Sequence, residues 1–274
     1  MSNHKRWVEF LLIALSSVFL VFSFFPMIIM IITSVKSKLD VRLGLFNMPS
    51  KILWENYEMA YKAVIPYTIN SLIIAIAVVI GVVAISALAS FALARYVFPG
   101  RELFYYLIIS LMMVPSVLTL IPAFKVVAAL QLLNTHWVVI LPQIAGGSIM
   151  AVFLLRAFFA GLPEELFESL GIDGASEWTI LLRLVLPLSK PILGTIAVLN
   201  FHSSWNDYIW PLITINDQKL KPIVTGIMSF SNSYSTDYGP MMAGYVLASV
   251  PLMLVIGFSM RYFVQGLTGG AIKA

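Results

Sequence analysis

The feature that most constrains this chain is the recurrence of apolar stretches long enough to cross a bilayer, the first being "VEFLLIALSSVFLVFSFFPMIIMII" from Val8 to Ile32. A helix needs about 20 largely apolar residues to span the hydrocarbon. Six stretches reach that length: Val8 to Ile32, Ile69 to Ala94, Leu103 to Pro122, Trp137 to Phe159, Leu184 to Ser204 and Met241 to Phe263. Charged residues make up only 11% of the chain, against about 25% in a soluble domain. Lipid offers backbone groups no hydrogen-bond partner, so the stretches read as helices. An all-α, polytopic membrane protein with six transmembrane helices follows, with no room for a second, soluble domain.

The first stretch comes after His4, Lys5 and Arg6, as in a signal peptide. Its apolar run exceeds the usual length of about 7 to 15 residues and no small-residue cleavage site follows, so it reads as a retained helix. The absence of cysteine excludes disulfides and thiolate metal sites and leaves redox silent about compartment. The net charge of +4 is scattered along the chain. That pattern suits snorkelling and orientation at helix ends rather than a nucleic-acid partner. With the N-terminus inside, Lys5, Arg6, Arg95, Arg101, Arg156, Arg183, Lys190, Arg261 and Lys273 fall inside; Lys36, Lys38, Arg42, Lys51, Lys62, Lys125, Lys219 and Lys221 fall outside. The near balance is due mainly to the connection from Thr33 to about Thr68. Without it the bias places the N-terminus in the cytoplasm.

Ionisable groups are nearly absent from the middle of the spans, which disfavours a proton-driven carrier. Neutral polar side chains take their place, among them Asn70, Ser71, Gln143, Ser148, Asn200, Ser203 and Ser204, with His202 and Trp205 alongside. Small residues at helical spacing (Ala77, Gly81, Ser86, Ser90, Ala94) suit close helix packing. Pro26, Pro115, Pro122, Pro142 and Pro251 mark kinks. The segment "MSFSNSYSTDYGP", Met228 to Pro240, reads as a flexible loop. No phosphate loop, zinc helix or nucleophile elbow occurs, so no enzyme constellation can be named.

One stretch breaks the apolar pattern. "PEELFESLGIDGASEWTILLRLVLP", Pro163 to Pro187, gathers Glu164, Glu165, Glu168, Asp173 and Glu177 between two oily spans. Pro163 suits the first position of a helix and the three glutamates suit its positive end. Leu166, Phe167 and Leu170 form an apolar stripe, and Gly171 can end the helix in the left-handed conformation. Asp173 then reads as the N-cap of a second helix opened by Gly174 and Ala175, with Trp178, Leu181, Leu182 and Val185 on one apolar face. Surface helices that lie on lipid are rich in Lys and Arg, whereas this one carries acid, so its exposed face suits a protein groove better.

Glu168, Gly174 and "LVLP" from Leu184 to Pro187 stand at the spacing of the EAA loop of ABC importer permeases, with Ser169 and Leu170 in place of the two alanines. "TINSLIIA" from Thr68, "SFALARYVFPGR" from Ser90, "SWNDYIWPL" from Ser204 and the tail "RYFVQGLTGGAIKA" are similar to the sugar-uptake branch, and to its maltose-type G subunit. The resemblance implies the type I importer (MetI-like) fold. It divides the chain into an N-terminal helix and first extracytoplasmic loop (1–67), a transport core (68–263) holding the EAA loop (163–187), and a cytoplasmic tail (264–274) that reaches between two ATPases. It implies that Glu164, Glu165, Glu168, Gly171, Asp173, Gly174, Ala175, Leu186 and Pro187 couple to a separate ATPase. The implied partners are a maltose-type F-like second permease, two ABC ATPase subunits, an extracytoplasmic solute-binding protein, a sugar and membrane lipid. ATP and Mg would sit on the ATPase, with no cofactor on this chain, which would be no enzyme. It would lie in the bacterial inner (cytoplasmic) membrane with both termini cytoplasmic.

Sugars are recognised by neutral hydrogen-bonding groups and aromatic faces. Asn70, Ser71, Asn200, Ser204 and Asn206 are therefore candidate pathway residues, though interhelical hydrogen bonding explains each equally well. Trp205, Tyr208 and Trp210 also fit an interfacial aromatic belt. Two alternatives stand: a secondary carrier or channel subunit built around Asp207, and, within the family, glycerol phosphate or another polyol as substrate.

Overall fold

A computed structural model describes residues 3–172, 174–233 and 237–271. In chain order the helices are α1 (Asn3–Ser34), α2 (Lys38–Leu43), α3 (Glu55–Arg95), α4 (Arg101–Ser110), α5 (Ser116–Ala129), α6 (Trp137–Ala160), α7 (Glu165–Ile172), α8 (Glu177–Ile180), α9 (Leu186–Leu188), α10 (Lys190–Trp205), α11 (Ile209–Thr214), α12 (Ile223–Ser233) and α13 (Tyr238–Ala271). Among the described residues there is no strand. Among the described residues, four helices are long and apolar enough to cross a membrane, and two bent pairs bring the number to six if each pair is one crossing.

The sequence marks a kink at Pro115 in the third crossing, where the structure bends, and none in the fifth, which the structure corrects. The third turns through 106° between Leu111–Met113 and α5, and the fifth through 77° between α9 and α10. Pro115 precedes α5, while Pro187 and Pro191 flank the second bend. A proline can neither donate to the preceding turn nor fit its ring there, so the axis breaks. The second span is longer than its apolar run: α3 has 41 residues, about 60 Å at 1.5 Å per residue. Its early turns carry Glu58 and Lys62, paired at 2.7 Å one turn apart.

The chain forms two compact units. In the unit of residues 1–66 and 227–250, the connection after α1 is tied into a knot. Lys36 is fully buried, and its ammonium donates to the carbonyls of Gly44 at 3.1 Å and Leu45 at 2.6 Å. Ser37 and Asp40 cap α2 reciprocally, with the Ser37 hydroxyl accepting from the Asp40 N–H at 3.1 Å. Ser50 donates to the other Asp40 oxygen. These hydroxyls, Ser50 before Ser37, hold the carboxyl of Asp40 below the ordinary aspartate range. Asn56 closes the knot by donating to the carbonyls of Ser34 at 2.9 Å and Lys36 at 3.1 Å. The segment expected as a loop from Met228 is helical to Ser233 and again from Tyr238; Tyr234, Ser235 and Thr236 lie outside the described residues. Its helical character comes from Ile227 and Phe230, both buried.

The unit of residues 67–226 and 251–274 contains the larger core, in which Ile74, Val78 and Val82 of α3 meet Val138, Leu155 and Phe159 of α6 and Ile196 of α10. Two glycines permit this approach. A Cβ on Gly81 would stand 2.3 Å from Ile144, and one on Gly147 would stand 2.1 Å from the Asn200 oxygen. The small-residue face of α3 is thus a packing face.

Lys36→Met keeps the buried stem but removes the donor to two carbonyls; a hydrogen bond to a charged group contributes about 1.5–3 kcal/mol. Faster protease cleavage between residues 36 and 50 is the expected result, against an unchanged pattern in Lys51→Met at an exposed position. Acid should act similarly through Asp40. Its folded pKa lies below the unfolded one, so its contribution is present at neutral pH and is lost as pH falls through the folded value.

Candidate functional site

Two regions carry the candidate residues, both in the unit of residues 67–226 and 251–274. The first is the acidic stretch, which forms a helical hairpin. The Glu164 carbonyl accepts from the N–H groups of Phe167 at 2.9 Å and Glu168 at 3.1 Å, so α7 starts just past Pro163. Glu164, Glu165 and Glu168 are exposed near that start, where the helix dipole favours negative charge.

The turn differs from the sequence expectation. Gly171 stays inside α7, and Gly174 takes the left-handed conformation, φ +73°. The N–H of Ala175 bonds the Leu170 carbonyl at 3.0 Å and that of Gly174 bonds the Gly171 carbonyl at 3.1 Å. This paired closure is a Schellman motif, whose left-handed position favours glycine. Asp173, expected as the next N-cap, lies outside the described residues. Ser176 caps α8 instead, accepting from the Thr179 N–H at 3.3 Å, so Gly174 and Ala175 belong to the turn and not to the second helix.

The second limb departs from the expected single apolar face as well. Leu181 and Val185 are buried, while Trp178 and Leu182 are exposed. Residues Leu181–Val185 form a π turn, in which the Leu186 N–H bonds Leu181. Pro187 offers no N–H to the carbonyl of Arg183, and the wider turn relieves that misfit. Leu186 is half-buried and Pro187 exposed. The outer side of the hairpin therefore presents Leu166, Ile172, Trp178 and Leu182 beside the glutamates.

Its inner side is held by residues to which the sequence assigned no role. The Arg95 guanidinium lies 3.7 Å above the centre of the Phe167 ring and 3.9 Å from a Glu164 oxygen. Desolvation, then the nearby Glu177 carboxylate, push the Tyr96 phenol pKa up.

The second region is a cleft of about 680 Å³ between α5, α6 and the end of α10. Its polar lining comprises Ser116, Thr119, Gln143, Ser203, Asn206, Asp207 and Tyr208, with Trp210 alongside, and among the described residues none that lines it is Lys, Arg or His. Gln143 donates to Asp207 at 2.7 Å, and the Trp210 N–H reaches the other Asp207 oxygen at 3.4 Å. Burial pushes the Asp207 carboxyl up despite those bonds. Among the described residues, the buried Gln143 oxygen has no partner.

Of the five candidate pathway residues, only Asn206 lines this cleft. Asn70 donates to the carbonyls of Lys219 at 2.7 Å and Lys221 at 3.0 Å, and Ser71 accepts the Ile223 N–H at 2.7 Å. Both clamp backbone. Asn200 donates to Ile196 at 2.9 Å within its own helix and faces Gly147. Ser204 is buried, with no partner for its hydroxyl among the described residues. Trp210 is anchored through its indole N–H to the Val138 carbonyl at 2.7 Å.

The profile of the family described as "Binding-protein-dependent transport system inner membrane component" matches residues 85–269. The chain is 31% identical over 282 residues to the arabinooligosaccharides transport system permease protein AraQ of Bacillus subtilis, covering all of both proteins. It is 37% identical over 201 residues to the sn-glycerol-3-phosphate transport system permease protein UgpE of Pectobacterium atrosepticum, covering 73% of this chain and 71% of that one. The crystal structure of a bacterial ABC transporter involved in the import of alginate, an acidic polysaccharide, superposes with a TM-score of 0.83 at 22% identity, covering 96% of this chain and 99% of that one.

The two glycines of the hairpin should respond in opposite directions. Gly174→Val forces a β-branched residue into the left-handed region, at about 1–2 kcal/mol. Gly171→Ala adds a methyl with nothing within 4 Å and gains up to about 1 kcal/mol of helix propensity. Limited proteolysis within residues 163–187 should accelerate in the first variant and slow or hold in the second.

Proposed function

The chain belongs to the family of binding-protein-dependent transport system inner membrane components and is a permease subunit of such an importer; on that premise we propose that its acidic hairpin is the handle for a separate ATPase and that its solute is a neutral sugar or oligosaccharide. Members of this family work with another permease, an ATPase and a solute-binding protein. For this chain the proposed assembly is one F-like permease and two ATPase copies, fed by an extracytoplasmic binding protein. Residues 1–67, 68–263 and 264–274 serve as anchor, transport core and tail, with both termini and the hairpin in the cytoplasm of a bacterium.

One observation carries the docking proposal: Leu166, Ile172, Trp178 and Leu182 are exposed on a segment that also shows Glu164, Glu165 and Glu168. Apolar side chains at the centre of a contact with charge at its rim make a protein interface. Acid in place of Lys and Arg disfavours lipid headgroups. Closure of the ATPase dimer on ATP would carry the hairpin with it and bias α6 and α10 between two arrangements, as alternating access requires.

The solute proposal rests on the cleft. Its hydroxyl, amide and aromatic lining suits a polyhydroxylated solute, and Asp207 has no lining cation beside it. A phosphate about 4 Å from that carboxylate would be repelled by about 4 kcal/mol at an effective dielectric of 20. An arabinooligosaccharide-like solute therefore fits better than glycerol phosphate.

Glu168→Lys places a cation in the acidic rim. The ATPase should no longer co-purify with the chain and ATP-driven uptake should be lost, while membrane insertion persists. Wild-type uptake in that variant would count against docking, and uptake that survives ATP depletion but dies with an ionophore would favour the carrier alternative. Asp207→Asn removes the charge while its amide oxygen still accepts from the Trp210 N–H and, with the Gln143 amide turned over, its NH2 donates to the Gln143 oxygen. Binding of anionic saccharides to the purified assembly should rise at least tenfold over wild type, with neutral ones unchanged. Because Asp207 takes up its proton at higher pH than an exposed aspartate, the same relaxation should begin in wild type as pH falls.

A further inference from the structure

Two consecutive residues at the end of α3 grip both limbs of the hairpin, and docking alone does not require them. Arg95 takes the first limb. Its guanidinium lies flat over Phe167 and near Glu164, and the Phe167 ring is itself buried in the core that contains Phe91 of α3. Tyr96 follows Arg95, its ring edge-on to Phe91 at 6.1 Å and its phenol close enough to the Glu177 carboxylate of the second limb to feel its charge. The end of α3 thus packs directly on α7 and turns the Tyr96 phenol toward the start of α8.

We propose that Arg95 and Tyr96 are positioning residues that form a latch, through which the hairpin drives α3 in addition to the two helices it is covalently joined to. The proposal rests on the hairpin being the ATPase handle.

The covalent routes are compliant or oblique. Toward α10 the chain passes through the π turn at Leu181–Val185 and a 77° change of axis at Ser189. Toward α6 it passes through Gly161 and Pro163, outside any helix. In contrast α3 runs without a break from Arg95 back past Ser71 and Asn70, about 36 Å at 1.5 Å per residue. There those two side chains hold the backbone of Lys219, Lys221 and Ile223. Displacement of the hairpin at one end of this rod is therefore delivered to the 219–223 segment at the other. Arginine is specific to the first contact, because a planar guanidinium can stack on a ring while presenting its edge to a carboxylate, and an ammonium cannot.

The test uses the complete assembly (both permeases, ATPase and binding protein) in proteoliposomes, with solute taken up per ATP hydrolysed as the readout. Arg95→Gln and Tyr96→Phe should leave ATPase co-purification at the wild-type level and hydrolysis within twofold. Uptake per ATP should fall at least fivefold in the first and at least twofold in the second. Arg95→Lys should not rescue. Because the chain has no cysteine, Tyr96→Cys with Glu177→Cys can be rejoined by a short bis-maleimide. Re-closing the contact should restore at least half of the lost ratio. An unchanged ratio in both single variants, hydrolysis and uptake falling in proportion, or a crosslink that restores nothing would each overturn the latch. Failure of the ATPase to co-purify with the wild-type chain would instead overturn the handle on which it rests.

Discussion

Everything in this molecule follows from the need to satisfy backbone hydrogen bonds where no water is available. Inside hydrocarbon only a continuous helix does so, and each interruption must be covered by protein or reach a polar region. Three of the interruptions here show a local remedy. At Gly174 the Schellman closure returns two N–H groups to α7. Beside Pro187 a wider turn absorbs the missing donor. After Trp205 the Asp207 carboxylate takes the N–H of Trp210. The handle and the cleft proposed above lie at two of these interruptions, where the chain offers polar groups and a change of direction.

The same requirement explains the first connection, whose positive charges upset the orientation rule. Lys36 gives its ammonium to two carbonyls in a fully buried position, and Lys62 is paired with Glu58. A count of basic residues treats both as free charges at a membrane surface, whereas Lys36 is used inside the folded connection and Lys62 is offset by an exposed carboxylate. The residual imbalance is thus a property of one compact loop and carries little information about topology.

What was legible in the sequence follows a physical divide. Long apolar runs are visible because hydropathy is a local sum, so the crossings emerged nearly in place, as did the family resemblance in the spacing of Glu168, Gly174 and Pro187. The earlier start of α3 was hidden because Glu55, Glu58 and Lys62 lower the local hydropathy, though they suit an exposed helix. The choice between Gly171 and Gly174 depended on a backbone angle that neither neighbour announces. Asn70 and Ser71 are polar in an apolar run, a signal that marks equally a ligand contact and a backbone clamp; the structure shows the clamp. The grip of Arg95 and Tyr96 on the hairpin, and the Gln143–Asp207 bond, join residues far apart in the chain, and a single sequence contains no record of such pairings.

The π turn at Leu181–Val185 has a consequence for how the family's two surfaces can diverge. One extra residue per turn shifts the angular phase of everything on its near side by about 100° relative to the helix beyond. The side of the hairpin proposed to meet an ATPase and the side of α10 offered to its neighbours are therefore set by separate stretches of sequence. A lineage can re-tune one for a new engine while the other keeps its fit to the same bundle.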